Sequence, residues 1–421
     1  MSNVQGLFST TLANPSGYPG QSFFGQNNIR IFMRTGTFVV PPGVGTIRVR
    51  VHGAGGSGAV ATASTQNRCA TGGGGGGFAM KVISTTPGTS YAVTVGAGGT
   101  RAQTLANGIA GGTSSFGAIL TATGGAGGLY ASANAANSAA GAAGGTGSGG
   151  DVNYTGGSSG SGTTTSYTAG QQTFAVTGGG ACGSIFGNGG GSGSVSTVAT
   201  TTTGTIVVMS GGGGVGGSSG NVTYTGTGAG GFYIVSGSGG TAGGSVSYST
   251  STNPGGNLTS LNAGPGFMNY ASSGNETGAG SFSASNYGGI PLETYSAIHR
   301  FNTYVPASTV TVPKSSPYPL NSLNRFPGDI LIAGGTKAQD QEDNGGNPSP
   351  GAGMGSRFAS SNQYVAGPLG GGGAAADPNN NGSYGGGATV GGGGGGVASF
   401  GSTDANAFSG YGGDGMVIVE W

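Results

Sequence analysis

The chain has 421 residues, of which 103 are glycine, and only 5% are charged, leaving a net charge of +1. That balance excludes a basic nucleic-acid footprint, and no apolar run approaches the length of a membrane span. A disordered chain stays soluble through charge, yet Asp151 is the only charged side chain between Arg101 and Glu276. The composition therefore reads as an ordered chain whose backbone polar groups are satisfied internally.

Residues 1–36 carry no core pattern of their own, and they lack the basic start and continuous apolar block of a signal peptide. They are expected to attach to another protein. Thr37 to Val40 is a short apolar strand stopped by Pro41-Pro42-Gly43. Thr46 to His52 alternates, with Ile47, Val49 and Val51 on one face and Arg48, Arg50 and His52 on the other. That is the pattern of a half-buried strand. Phe78, Met80 and Val82 are expected to alternate in the same way. Thr86-Pro87-Gly88 turns the chain, and Tyr91 to Val95 and Phe116 to Ala122 read as two further strands. Ala131 to Ala143 has no apolar stripe, so no helix is expected there. The middle of the chain holds short apolar strands at 173–177, 205–209 and 231–235 between glycine, serine and threonine tracts. Prolines and larger apolar residues mark a possible subdomain at 291–327. At the far end GMVIVEW places Val417, Val419 and Trp421 on one face.

Gly72 to Gly77 is a hexaglycine that runs directly into the strand at Phe78. Fixing one glycine run is unfavourable by itself, because glycine loses the most backbone freedom. Several runs side by side reverse that balance. Without Cβ atoms the backbones approach closely, and N–H, C=O and Cα–H groups all find partners. The conformer that suits such packing is polyproline-II-like, with about 3 residues per turn and no internal hydrogen bonds. Candidate rods are 72–77, 189–191, 211–214, 370–373 and 391–396. The strand is expected to anchor the rod, and the rod to carry the chain away from a small β core.

Chemical motifs are sparse. No lysine follows a glycine, so no Walker-type loop exists. His52 and His299 are the only histidines, and no nucleophile-elbow context accompanies them. A glycosidase needs two carboxylates facing a groove; Asp329, Asp340, Glu342 and Asp343 are the candidates, with a solvated acidic turn as their ordinary reading. DQEDNG at 340–345 and DPNNNG at 377–382 begin like calcium loops, but Gly351 and Ala388 stand where the closing glutamate belongs. Cys69 and Cys182 make neither a disulfide framework nor a zinc site and read as two ordinary thiols, with one disulfide or a metal pair as the alternative. No metal or cofactor is implied. Between Asn221 and Tyr304 the chain is mostly Gly, Ser, Thr, Asn and aromatic residues, a palette that suits contact surfaces. Tyr224, Tyr233, Tyr248, Tyr270 and Tyr287 are the candidate receptor-binding residues, with packing beneath their own loops as the alternative role.

The segments FVVPPGVGTIRVRVHGAGGSG, GGGGGGFAMKVISTTPGTSYAVTVGAGG, GGTSSFGAILTATGGAGG and GYGGDGMVIVEW together resemble the glycine-rich domain of bacteriophage tail fibres and tail-tip adhesins. The resemblance implies a virion protein at a tail or fibre tip, without enzymatic activity, that serves host adsorption. Its partners would be other tail or baseplate proteins and a bacterial surface receptor, either polysaccharide or outer-membrane protein. Homo-oligomers are expected, trimers being common among such fibres. The fold expected is all-β: a small antiparallel sandwich from both chain ends (37–128 with 385–421) and a large glycine-rich insertion (129–384). A structural tail or decoration protein and a polysaccharide-degrading tailspike are the other classes open.

Overall fold

The computed structural model describes residues 28–62, 67–133, 135–164, 171–185, 187–199, 204–213, 218, 221–226, 232–236, 246–250, 280–284, 388, 390–399 and 407–421. All regular elements among the described residues are strands. They form a sandwich at one end, a set of mostly parallel sheets at the other, and glycine-rich rods between.

The sandwich has two five-stranded antiparallel sheets. One runs β1 (Ile29–Phe32), β23 (Met416–Glu420), β3 (Thr46–His52), β6 (Phe78–Ser84) and β13 (Val152–Tyr154). The other runs β12 (Gly147–Ser148), β9 (Leu120–Ala122), β8 (Ser114–Phe116), β7 (Ser90–Thr94) and β2 (Gly36–Val39). The last strand of the chain thus lies between β1 and β3, closing the amino-terminal sheet. Ile47, Val49, Val51, Val417 and Val419 meet Phe38, Val93, Phe116 and Leu120 across the sandwich. Each such side chain contributes about 1.5–3 kcal/mol on burial. Trp421 packs at the rim, its ring 5.5 Å from that of Phe38.

Two local expectations are corrected. The inner face of β6 carries Ala79 and Ile83, and not Met80 and Val82, because the register sets Val51 against Ala79 and Ile47 against Ile83. Phe116 to Ala122 is a hairpin, in which Gly117 takes a positive φ of 54° so that β9 folds back on β8.

At the far end, β10 (Tyr130–Ala133), β5 (Asn67–Ala70), β15 (Gln171–Val176), β17 (Gly204–Met209) and β19 (Phe232–Ser236) form a middle sheet. It is parallel from β5 to β19. On one side lies the sheet β11 (Asn137–Ala139), β14 (Gly162–Thr164), β16 (Val195–Ala199), β18 (Val222–Gly226), β20 (Val246–Thr250) and β21 (Gly280–Ala284). On the other lies the parallel pair β4 (Val60–Thr62) and β22 (Val397–Ser399). A sheet covered on both faces needs continuous apolar strands, and β17 supplies one. Ile206 and Val208 enter the core towards β16 and β18, while Val207 and Met209 pack with Phe174 and Ala398. From β14 onward the chain alternates between the two larger sheets, so each circuit stacks on the previous one. The pairs Gly162 with Val195 and Gln171 with Gly204 both advance by 33 residues. The pairs Val195 with Val222 and Thr205 with Phe232 advance by 27. The shortening circuits hide this repeat from any search for a fixed period.

Candidate functional site

The region between the two ends contains almost no side chain. Segment 53–59 leaves β3 for β4, 72–77 leaves β5 for β6, 123–129 leaves β9 for β10, 140–146 leaves β11 for β12, and 155–161 leaves β13 for β14. Each spans from the sandwich to the distal sheets, and six such residues reach roughly 19 Å. Segments 177–183 and 188–194 leave β15 and return to β16 through a turn in which Ser184 and Gly187 form a bridge.

The lateral contacts of 72–77 define the packing. Thr71, Gly74 and Gly77 donate to Leu129, Ala126 and Thr123; Gly73 and Gly76 donate to Gly394 and Gly391; Gly75 donates to Gly157. In return Gly53, Gly56 and Ala59 donate to Gly77, Gly74 and Thr71; Gly180 and Gly183 donate to Gly73 and Gly76; Gly145 donates to Gly75. Every third residue meets the same neighbour, as three residues per turn require. The hexaglycine is thus ringed by six segments: 53–59, 123–129, 140–146, 155–161, 177–183 and 391–396. Adjacent members of the ring also bond to one another, for example Gly125 to Ala54, Ala126 to Ala143, Gly156 to Gly145, Gly157 to Ala181, Gly393 to Gly180 and Gly394 to Gly56. Segment 53–59 is enclosed in the same manner by 72–77, 123–129, 108–112, 96–99, 410–413 and 391–397.

Glycine is required here by space. A Cβ on Gly73, Gly74, Gly75 or Gly76 would lie 2.0–2.1 Å from the carbonyl oxygen of Gly56, Ala143, Ala181 or Gly53 respectively. Where rods meet solvent, side chains return at every third position. Thr123, Ala126 and Leu129 lie on one outer rod, Ala140, Ala143 and Thr146 on the next, and Asn107, Ala110 and Thr113 on a third, all exposed or half-buried. The hexaglycine, 188–194, 210–213 and 392–396 are rods, as anticipated from 72–77, 189–191, 211–214 and 391–396, except that Gly391, with φ 71°, is a turn and Gly214 lies outside the described residues. Residues 370–373 lie outside the described residues.

The joint between sandwich and rods carries the polar face of β3. Arg48, Arg50 and His52 were expected at the surface, but Arg50 and His52 are buried. Glu420 on β23 compensates the arginines: Arg50 Nη2 donates to its carboxylate at 2.6 Å, and Arg48 Nε also donates to it. The His52 ring packs on Phe78 with centroids 4.8 Å apart. Burial, and then the charge of Arg50, push its pKa down to about 3. A sealed, neutral imidazole is not placed to act as a general base on an outside substrate.

The cysteines are both buried and free. Cys69 belongs to the core between the two larger distal sheets, and Cys182 lies in segment 177–183. Burial raises both thiols to about 12. At the distal end Arg68 is fully buried, with its guanidinium 4.6 Å from the centre of the Phe174 ring. Burial lowers its pKa to about 9. Nothing in the sequence around Arg68 signals this, since the strand NRCA has no alternation to read.

The candidate tyrosines separate. Tyr224 is 3% exposed and packs with Val195, Val208 and Val222, so its ring supports the fold and is not offered to a partner. Tyr248 is the register partner of Tyr224 on β20, and Tyr233 that of Ile206 on β19. Tyr270 and Tyr287 lie outside the described residues, as do Asp329, Asp340, Glu342, Asp343, His299 and the subdomain proposed at 291–327. Among the described residues no group of three His, Cys, Asp or Glu side chains is placed to hold a metal, and no helix is long and apolar enough to cross a membrane.

Residues 33–177 match the family model of a glycine-rich domain. No curated protein matches the chain.

Proposed function

We propose that the chain is a tail-fibre or tail-tip protein of a bacteriophage that binds a host surface receptor without chemistry. The observation that carries this reading is the separation of the two ends by a backbone-packed spacer. β14, β16 and β18 end, and β15, β17 and β19 begin, on the side of the distal sheets remote from the sandwich. A spacer whose interior is bare backbone tolerates sequence change at its ends and on the wet face of its outer rods, but not inside. It therefore suits a protein whose contact loops vary while its support stays fixed. The sandwich end and residues 1–36 would then face other tail or baseplate proteins. The aromatic-rich stretch from 221 to 304 would supply the contact to polysaccharide or an outer-membrane protein.

The purified chain should block infection by the virus that carries it, and it should bind the surface of susceptible cells but not of resistant ones. Tyr270→Ala and Tyr287→Ala combined should remove binding while the melting temperature is kept. Failure of the folded wild-type chain to bind or to block infection would refute the reading and leave a structural tail or decoration role. Clearing of capsule by the purified chain would instead establish a tailspike.

A further inference from the structure

From β14 onward the chain repeats one circuit in structure, although no fixed period marks it in the sequence. A circuit takes a strand of the sheet that holds β14, a crossing, a strand of the sheet that holds β15, and then an excursion into the raft. The same bonds recur from one circuit to the next. Thr177 Oγ1 donates to the Gly160 carbonyl, and Ser210 Oγ donates to that of Gly193. The amide of Val195 donates to the Ser161 carbonyl, and that of Val222 to the Ser194 carbonyl. Side chains interlock in the same way: Ser194 Oγ accepts from the Ser161 amide, and Asn221 Oδ1 accepts from the Ser194 amide.

The circuit lengths carry the inference. Both sheets advance by 33 residues at the first step and by 27 at the second. The crossing on the side remote from the sandwich is therefore constant in length, and the shortening from 33 to 27 falls on the raft side. The next advance, from Val222 to Val246, is 24 residues. All three lengths are multiples of three. A rod with about 3 residues per turn can gain or lose whole turns without rotating the strand that follows it. The shortening from 33 to 27 matches one turn taken from the outgoing rod and one from the returning rod. The geometry points to the circuit as a unit that this chain can gain or lose whole. An added circuit pairs in parallel with its neighbour, lays its rods beside the previous pair, and adds one crossing at the remote side. Successive crossings follow strands about 4.7–4.9 Å apart. Each circuit contacts mainly its neighbours, as in a solenoid, so the sandwich and the hexaglycine are untouched. The consequence for function rests on the receptor-binding reading: the number of circuits sets the extent of the contact surface at the remote end.

The test duplicates residues 195–221 in tandem within the full chain. Val195, Ile206 and Val208 then meet their own counterparts, apolar on apolar, as Val195 meets Val222 in the present core. The enlarged chain should melt in one transition, no lower than the wild type. Peptides spanning 206–209 occur twice in it, and hydrogen exchange read by mass should show one slow population, within about tenfold of the wild-type rate. The control duplicates 195–203 alone, which is β16 and its crossing. Its copy ends on the remote side, so the next strand starts from the wrong end of the sheets, and this chain should melt below the wild type or lose its cooperative transition. Two populations at 206–209, one of them fast, would show the added circuit hanging as a loop and would overturn the proposal. So would a whole-circuit duplication that melts no better than the control. Both readings are made on the isolated chain, so an absence of receptor binding leaves them unaffected.

Discussion

Gly75→Ala tests the raft at its centre. The added methyl would lie 2.0 Å from the Ala181 carbonyl oxygen and 2.3 Å from its carbon, whereas ordinary contact needs well over 3 Å. Both atoms are backbone, so no side chain can swing aside. Segment 177–183 must retreat from the hexaglycine, and the bonds from Gly180 to Gly73 and from Gly183 to Gly76, both 2.9 Å, stretch with it. Overpacking costs about 1–3 kcal/mol, and each buried backbone group left unpaired adds about 1–3 kcal/mol. A total of about 3–9 kcal/mol is expected, an appreciable share of the stability of a domain. The matched control is Gly45→Ala, where a Cβ meets nothing within 4 Å; it should fall within about 0.5 kcal/mol of wild type. Denaturant unfolding of both variants under one protocol measures the difference. Equal midpoints and slopes for Gly75→Ala and Gly45→Ala would refute backbone crowding as the organising contact.

Three further outcomes follow from the joint and the cores. Glu420→Gln removes the charge that compensates buried Arg50 and its neighbour Arg48, and should lower stability by about 3–5 kcal/mol by chemical denaturation; Glu420→Gln combined with Arg48→Met and Arg50→Met should recover part of the loss. His52 has a folded-state pKa near 3 against an ordinary value of 6.5, so the unfolded chain binds the extra proton between those values. Stability tied to His52 is complete above pH 6.5 and falls as pH drops towards 3. His52→Leu should flatten that part of the stability–pH profile, and an identical acid slope in the variant would contradict the burial. Cys69 and Cys182, raised to about 12 by burial, should be silent to a thiol reagent in the native protein and should both react in denaturant.

Much of the sandwich was legible because its strands alternate over a shared core. Ile47, Val49 and Val51 on β3 and Val417, Val419 and Trp421 at the end of the chain announce a common face. The buried side of β3 that carries Arg50 and His52 was not legible, since its compensating charge, Glu420, stands 370 residues away from Arg50. β6 misled because Met80 and Val82 are the larger side chains, while the register commits the smaller Ala79 to the core. The rods held a signal that a count of glycines overlooks. TGGAGGL at 123–129, AGAAGGT at 140–146 and TGGSSGS at 155–161 place a side chain at every third residue. That is the period of a three-residue helix with one wet face, so the outer rods were readable from spacing alone. The fully glycine 72–77 has no wet face and no such period. The stacked circuits from β14 to β20 were hidden for another reason: parallel pairing joins residues 24–33 apart, and each circuit differs in length.

Residue-resolved hydrogen exchange across 123–128 and 72–77 tests the account most directly. Thr123, Gly125, Ala126 and Gly128 donate to neighbouring rods, while the amides of half-buried Gly124 and Gly127 donate to no backbone carbonyl among the described residues. The expected pattern is slow exchange at 123, 125, 126 and 128, fast exchange at 124 and 127, and slow exchange at each of 73–77. Uniformly fast exchange through both segments, at the rate of an unstructured glycine chain, would contradict a solid interior made of main chain.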